Sequence, residues 1–569
     1  MIVLVAPAAA ERRREGGRHS LVAVAHLRLT ILMLLFVFST ILIVGRLGWL
    51  ALSAEPATTR DAAAALVPLR GDIVDRNGAS LARTIDAWSI GVQPGNIIGD
   101  KVELAQKLAA LMPERDPSYY YRLLTLKAPF TYIRHRAMPE LVTAVNALGE
   151  PGITFAREPE RLYPQSALAA QALGYLNAER RGVRGMEKAL DARLTNRALR
   201  SQPVALSLDL RVQGALESEL GRAMTSFQAK GAAGIVLDVH TGEVIAMSSL
   251  PTFNPNKVRS GEGTLLNNVT QSVYELGSAF KPIAIAAAID TGTVTSMARK
   301  FDATQPLQVG RFKIKDDHAQ KRWLNIPETL IHSSNIATAR IADEMGQEKL
   351  SAMFRKVGFD TAPDIEIEKA HPLWPRFWAR TTVMTTAYGH GIAVTPLHLA
   401  SAYAALVNGG IWRPATLLKV EPGHAPEGRR VISEATSARM RQLLRLIVLD
   451  GTGRKGEAPG YRVGGKTGTA EKPGAGGYSK HVNVSTFAAA FPMDAPRYVV
   501  IAMLDSPIGN AESFGLTTAA YTAAPVVSRL ITRAGPLLGV QPDMNRDVDV
   551  SDLEPLIWHK PGEDPGLAE

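Results

Sequence analysis

Residues 29–45, LTILMLLFVFSTILIVG, form a run of 17 residues without a charge, and past Arg46 the sequence continues as LGWLALS. A helix of about 20 apolar residues spans a bilayer core, so a transmembrane helix is expected over residues 29–51. Arg46 can snorkel near its end while Trp49 sits at the interface. Before the run, Arg12, Arg13, Arg14, Arg18 and Arg28 outweigh Glu11 and Glu15. Such an excess keeps a flanking segment in the cytoplasm. Residues 1–28 are therefore expected as a cytoplasmic tail, with the rest of the chain exported. Ala51-Leu52-Ser53 also has the look of a signal-peptide cleavage site. The run exceeds the apolar core of a signal peptide, about 7–15 residues, which favours a retained anchor. Nothing amphipathic interrupts it, which argues against a buried core helix.

With 569 residues there is room for two or three domains. No Cys occurs, which excludes disulfides, thiolate metal sites and Cys nucleophiles. The twelve His show no HExxH or similar ligand spacing, so neither a metal nor another cofactor is expected. Net charge is +10, yet no basic helix or aromatic-interleaved basic stripe accompanies it, which argues against nucleic acid.

After the membrane run, residues 55–68 read as a linker or weak helix. A mixed domain follows, with Asn77-Gly78 as a hairpin turn and helices around 101–112 and 138–148. The segment from Ser201 to Gly231 reads as a strand followed by an amphipathic helix. Two further hairpins turn about His240-Thr241-Gly242 and about Pro492, Asp494 and Pro496. Between them, roughly 278–450, the pattern is mostly helical. Strands at both ends with helices between imply one antiparallel sheet built from the two chain ends. From residue 541 onward stand eight acidic and two basic residues with several Pro, which reads as an acidic, flexible tail.

GYRVGGKTGTAEK, residues 460–472, fits two patterns. Gly460, Gly465, Lys466 and Thr467 match the phosphate loop G-x-x-x-x-G-K-[ST]. Such a loop needs a buried strand before it and a helix opening at its Lys. Here GEAPG precedes it, and the Gly- and Pro-bearing GTAEKPGAGG that follows cannot sustain a helix. Lys466-Thr467-Gly468 is therefore expected on or beside an antiparallel strand. A strand edge can pair with an extended peptide, and Gly468 would let it approach closely. Lys466 and the hydroxyls of Thr467 and Thr469 suit a carboxylate. A solvated edge-strand Lys is the plainer alternative.

YELGSAFKP holds Ser278 and Lys281, the chain's only Ser-x-x-Lys. Pro282 is tolerated only in a helix's first turn, so a helix must begin close to Ser278. That puts Ser278 at the positive end of the helix dipole, with Lys281 at i+3 on the same face. A neutral Lys281 could take the Ser278 proton, provided that desolvation or a nearby cation, Lys466 being the candidate, lowers its pKa. IHSSNIATAR holds Ser333-Ser334-Asn335 at another expected helix start. It reads either as an N-cap or as a proton relay through Ser333, with Asn335 holding a substrate amide or Lys281.

Each motif is weak alone. Together and in this order they resemble the class B penicillin-binding proteins. YELGSAFKP is similar to their Y-x-P-G-S-x-x-K-P, with Leu276 in place of the usual Pro. RGDIVDRNG, RLYPQ with GVRGMEKALDARL, and YGHGIAVTPLHLASAYAAL extend the resemblance over nearly all of 68–530. YGHGIAVTPLHLA and KTGTAEK resemble the division-specific septal enzyme more than the elongation-specific one. The resemblance implies an α+β chain: an elongated, non-catalytic pedestal of the dimerisation type over 60–225, then a transpeptidase domain over 226–540, an antiparallel sheet flanked by helices. It also implies D,D-transpeptidation of peptidoglycan stem peptides at the inner membrane, with β-lactams as covalent inhibitors. Ser278 would be the nucleophile and Lys281 the base. Ser333 and Lys466 would assist proton transfer beside Asn335, and Lys466, Thr467 and Thr469 would bind the carboxylate. The N–H groups of Ser278 and Thr469 would form the oxyanion hole, each worth about 3 kcal/mol in the transition state. No segment resembles a glycosyltransferase, so lipid-linked strands would come from a separate membrane enzyme acting with other division proteins. An elongation-specific transpeptidase, a β-lactamase, a β-lactam sensor and a non-catalytic division scaffold are the alternatives. The first three motifs stand intact against the scaffold, no deacylating base is evident for a lactamase, and one span is too few for the sensor.

Overall fold

The computed structural model describes residues 9–53, 70–85, 87–177, 179–258, 265–474 and 477–559. The chain divides into two compact units, residues 1–67 and 68–569. In the first, one helix, α1 (Ala9–Ser53), carries the apolar run. Its residues His26–Trp49, with mean hydropathy 2.5, are long and apolar enough to cross a bilayer once. The expected linker over 55–68 lies outside the described residues.

The second unit opens with β1 (Ile73–Val74) and β2 (Ser80–Ile85), an antiparallel pair about Asn77-Gly78. Gly78 takes φ +89°, which an L side chain resists. The Asp75 carboxylate closes this turn by accepting the Asn77 and Ala79 N–H groups at 2.8 Å each. Next come β3 (Trp88–Val92), α2 (Lys101–Leu111), α3 (Pro117–Leu124), β4 (Thr131–Ala137), α4 (Pro139–Asn146), β5 (Ile153–Arg157), β6 (Glu160–Leu162) and β7 (Val204–Ala205). They form two small sheets, ordered β6-β2-β1-β7 and β4-β3-β5. The helices expected around 101–112 and 138–148 are α2 and α4.

Three separate sequence signatures converge on one buried carboxylate here. Glu187 of GVRGMEK is 0% exposed and accepts from Arg70 of RGDIVDRNG and from Arg161 of RLYPQ, both at 2.7 Å. Tyr163 adds its hydroxyl at 3.2 Å, and burial, then the Glu187 charge, pushes the phenol's pKa far up. Removing one member of a buried charge cluster strands the others. Glu187→Ala is expected to cost about 3–5 kcal/mol, read as a lowered midpoint in chemical denaturation.

From here the chain builds its main sheet. After α5 (Leu210–Ser226) come β8 (Gly231–Asp238) and β9 (Val244–Leu250). A helical block follows, including α6 (Lys281–Asp290), α7 (Ile326–Ile331), α8 (Asn335–Lys356), α9 (Pro396–Val407) and α10 (Glu434–Asp450). The chain then returns as β10 (Gly464–Gly474), β11 (Gly477–Phe491) and β12 (Tyr498–Asp505), and closes with α11 (Ala523–Ala534). The sheet runs β10-β11-β12-β8-β9, all antiparallel, as the hairpins at the two chain ends imply. Both faces are covered, so its central strands are continuously apolar rather than alternating. Along β12, Val499, Ile501 and Met503 join the core with α6, α9 and α10, while Val500, Ala502 and Leu504 join that with α5 and α11.

The expectation of a flexible acidic tail is overturned for residues 541–558. Val550, Leu553 and Ile557 are buried in the main core. Asp547 pairs with Arg445 at 2.7 Å and Asp552 with Arg439 at 2.5 Å. Asp547 and Asp552 meet basic partners on α10, and the apolar residues beside them supply the burial. Residues 560–569 lie outside the described residues.

Candidate active site

Ser278 lies in a 3₁₀ turn, Gly277–Phe280, that runs directly into α6. Gly277 has φ +55°, and Pro282 falls in the first turn of α6, where its missing N–H is harmless. Ser278 is half-buried at this helix start, as the position of the proline requires.

Lys281 is fully buried. Its amine donates to the Ser333 carbonyl and, at 3.2 Å, to the Ser333 hydroxyl. Burial lowers its pKa to about 7, while the charges of Asp316 and Asp317 act in the opposite direction. Desolvation is thus the cause, out of the two open from the sequence. Lys466 is equally buried, and its own pKa is drawn well below the usual value, by burial first and by Lys281 second. A base with a pKa near 7 is the neutral amine above that pH, so β-lactam acylation is expected to rise through about pH 7 and then level off. An ordinary lysine would keep the rate climbing toward about pH 10.4. A pH profile of the acylation rate constant checks this.

Ser333 adopts φ +57°, the left-handed conformation that non-glycine residues rarely take. This turn delivers its carbonyl to Lys281. The N-cap of α8 is the next residue, Ser334, which accepts the Ala337 N–H at 3.0 Å. The motif is therefore both an N-cap and a lysine holder, divided between adjacent serines. Asn335 is not bonded to Lys281; its amide donates to the Lys315 carbonyl at 2.9 Å.

Lys466, Thr467, Gly468 and Thr469 lie within β10, an edge strand paired with β11 on one side. No helix opens at Lys466, so the phosphate-loop geometry does not exist. The Lys466 amine contacts the Thr467 carbonyl at 3.1 Å, and the hydroxyls of Thr467 and Thr452 at 3.3 Å each. Thr467 also donates to Thr452 at 2.8 Å and is only 7% exposed. Its hydroxyl is thus engaged inward. Thr469 is half-buried, and its hydroxyl oxygen accepts the Ala519 N–H at 3.0 Å, leaving its proton to donate.

Gly468 has a different reason from the one expected. A Cβ there would lie 2.3 Å from the Leu276 carbonyl and 3.1 Å from the Ala279 nitrogen. The glycine lets β10 close on the Ser278 turn, not a ligand on β10. On the turn's other flank, a Cβ on Gly389 of YGHG would lie 2.3 Å from the Gly277 carbonyl. The turn is thus clamped between two backbones that carry glycine at the contact.

Two polar neighbours escape motif reading. Asp316 accepts from the Ser334 hydroxyl at 2.7 Å and the Ile336 N–H at 2.9 Å, fixing the start of α8. Thr452 holds Lys466 and Thr467, and its N–H reaches the Ile331 carbonyl at 3.4 Å. Nothing in KIKDDHAQK or DGTGRKG marks either one, because both act through contacts made only by the fold.

Comparison with known proteins shows the family. The penicillin binding protein transpeptidase domain family matches residues 232–528, and the penicillin-binding protein dimerisation domain family matches 65–200. The "Probable peptidoglycan D,D-transpeptidase FtsI" of Caulobacter vibrioides is 41% identical over 506 residues, which is 87% of this chain and 85% of that one. The "Peptidoglycan D,D-transpeptidase FtsI" of Escherichia coli K12 is 27% identical, over 83% of this chain and 84% of its own. A crystal structure of penicillin binding protein 3 from Mycobacterium tuberculosis, complexed with aztreonam, superposes with a TM-score of 0.66 at 26% identity. It covers 84% of this chain and 97% of that one. The chain belongs to the class B penicillin-binding proteins, and within them it resembles the septal enzyme FtsI.

Proposed function

We propose that this chain is a membrane-anchored serine D,D-transpeptidase that cross-links peptidoglycan stem peptides at the division septum. The observation that carries the reading is the buried Lys281 amine, one helical turn from Ser278 and tied to Ser333. Neutral Lys281 removes the Ser278 proton as the oxygen attacks the carbonyl of a terminal D-Ala-D-Ala. The N–H groups of Ser278 and Thr469 hold the oxyanion. Collapse breaks the peptide bond, and D-Ala leaves with a proton relayed through Ser333, whose hydroxyl contacts Lys281. The amine of a neighbouring stem then attacks the Ser278 ester and frees the serine. Thr469 and the Lys466 amine, supported by Thr467, receive the stem's terminal carboxylate. Asn335, at the start of α8, would meet the stem's amide.

The arginine excess ahead of the apolar run of α1 favours a cytoplasmic N-terminus, with the catalytic unit on the outer side of the inner membrane. The lipid-linked strands would come from a separate membrane glycosyltransferase, acting with further division proteins. β-Lactams, which mimic the scissile amide, acylate the same serine. The test incubates the purified full-length protein with a fluorescent penicillin, then with a stem pentapeptide donor and an amine acceptor. A long-lived label and D-Ala release coupled to a cross-linked product support the reading. A label that hydrolyses within seconds assigns a lactamase instead, and no label at all assigns a scaffold.

A further inference from the structure

The tail beyond α11 does more than bury apolar surface. It reaches both elements that border the catalytic lysines. Near its start, the Asp543 N–H donates to the Gly460 carbonyl at 2.8 Å. Asp547 receives guanidinium hydrogen bonds from Arg445 at 2.8, 3.0 and 2.7 Å, and the same arginine donates to the Val463 carbonyl at 2.8 Å. Val463 immediately precedes β10, three residues before Lys466.

At its far end the tail grips α7, the helix that leads into Ser333. The Leu556 carbonyl accepts from Asn325, the N-cap of α7, at 2.5 Å. The Trp558 N–H donates to the Glu328 carboxylate at 3.1 Å. Glu328 is 1% exposed and also receives the Asn325 N–H and, at 2.7 Å, Arg322. The Arg322 guanidinium stacks 5.1 Å over the Trp558 ring and donates to His332 Nε2 at 3.2 Å. An imidazole that accepts there is neutral, and burial, then Arg322, lowers the His332 pKa. Glu328 and His559 are the other charged or titratable groups that act on it. His332 is bonded to Ser333, whose carbonyl and hydroxyl hold the Lys281 amine. The path from Trp558 to Lys281 therefore passes through Glu328, Arg322, His332 and Ser333 without a gap.

We propose that residues 543–558 form a clamp that positions Ser333 and the Lys466 strand, with Trp558 as the positioning residue at its end. The proposal rests on the transpeptidase reading above. The tail contributes nothing to the chemistry directly. It fixes the strained Ser333 turn from behind by closing the polar cluster beneath α7, and it holds the entry to β10 through Arg445. Reacting groups displaced by about 1 Å lose roughly a hundredfold in rate, so slackening at one end of the clamp is expected to be visible in acylation.

Three variants of the full-length protein separate positioning from bulk stability. Trp558→Phe keeps the ring face and the N–H. Trp558→Ala keeps the N–H alone. Trp558→Pro removes both, because proline lacks the donor. Each is compared with wild type in its acylation rate with a β-lactam, the pH midpoint of that rate, and its thermal midpoint. The phenylalanine variant is expected to match wild type and the alanine variant to fall below it. The proline variant is expected to lose about tenfold or more, with a displaced pH midpoint, at a temperature where it remains folded. Should the proline variant not fold, the alanine variant decides alone. Wild-type rate and pH midpoint in the folded variants lacking the ring or the donor would overturn the clamp, whatever the thermal midpoints do. A wild-type protein that takes no label would instead sink the transpeptidase reading, and the clamp with it.

Discussion

Ser278→Ala is expected to abolish covalent labelling by β-lactams, because no other Ser-x-x-Lys exists to replace it. Lys281→Ala should remove nearly as much, since an unactivated hydroxyl is a poor nucleophile. The double change should cost little more than either single one, as residues of one catalytic unit are strongly non-additive. Lys281→Arg is the sharpest member of the set. It keeps a cation beside Ser333 but cannot lose its proton at working pH. The fully buried site that draws the Lys281 pKa down to about 7 has no equivalent hold on a guanidinium. Acylation rate constants, measured after circular dichroism confirms folding, decide the question. A near wild-type rate in Lys281→Arg would make Lys281 an electrostatic residue and move the base elsewhere.

Gly468→Ala is expected to slow acylation by about a hundredfold or more, although it adds one methyl group and touches no reacting atom. The new carbon would stand 2.3 Å from the Leu276 carbonyl and 3.1 Å from Ala279. Both neighbours belong to the turn that carries Ser278, so backbone must move, and the edge of β10 must part from it. Gly214→Ala is the control. Gly214 sits within α5 with nothing within 4 Å of a Cβ, so the change should be neutral or add about 0.5–1 kcal/mol of stability. A Gly468→Ala protein that acylates as fast as wild type would show that the turn and the strand need not touch.

The architecture was legible wherever local pattern and chain order sufficed. Turns bearing glycine, or proline and aspartate, marked the hairpins, and the hairpins at the two ends of the catalytic region implied the central sheet. Pro282 alone located the helix start beside Ser278. What stayed hidden depends on contacts distant in sequence. Asp316 and Thr452 are ordinary residues in polar loops until the fold brings them to Ser334 and Lys466. The tail misled because its acidic residues were weighed as solvated charge. Their partners, Arg439 and Arg445, lie about a hundred residues earlier on α10. Val550, Leu553 and Ile557 are the residues that pack, and their burial shows only once the fold brings the main core to them. Gly468 was read as room for a ligand, yet its Cβ direction faces the turn that carries Ser278. Asn335 was expected to hold either a substrate amide or Lys281, and the left-handed turn at Ser333 gives the second of those places to the Ser333 carbonyl.

The central claim is that Ser278 becomes acylated, and a mass measurement tests it most directly. The protein is incubated with a penicillin, its intact mass recorded, and the adduct then mapped after proteolysis. The account requires one adduct per chain, on the peptide that contains Ser278. No adduct, or an adduct on a peptide lacking Ser278, would contradict it.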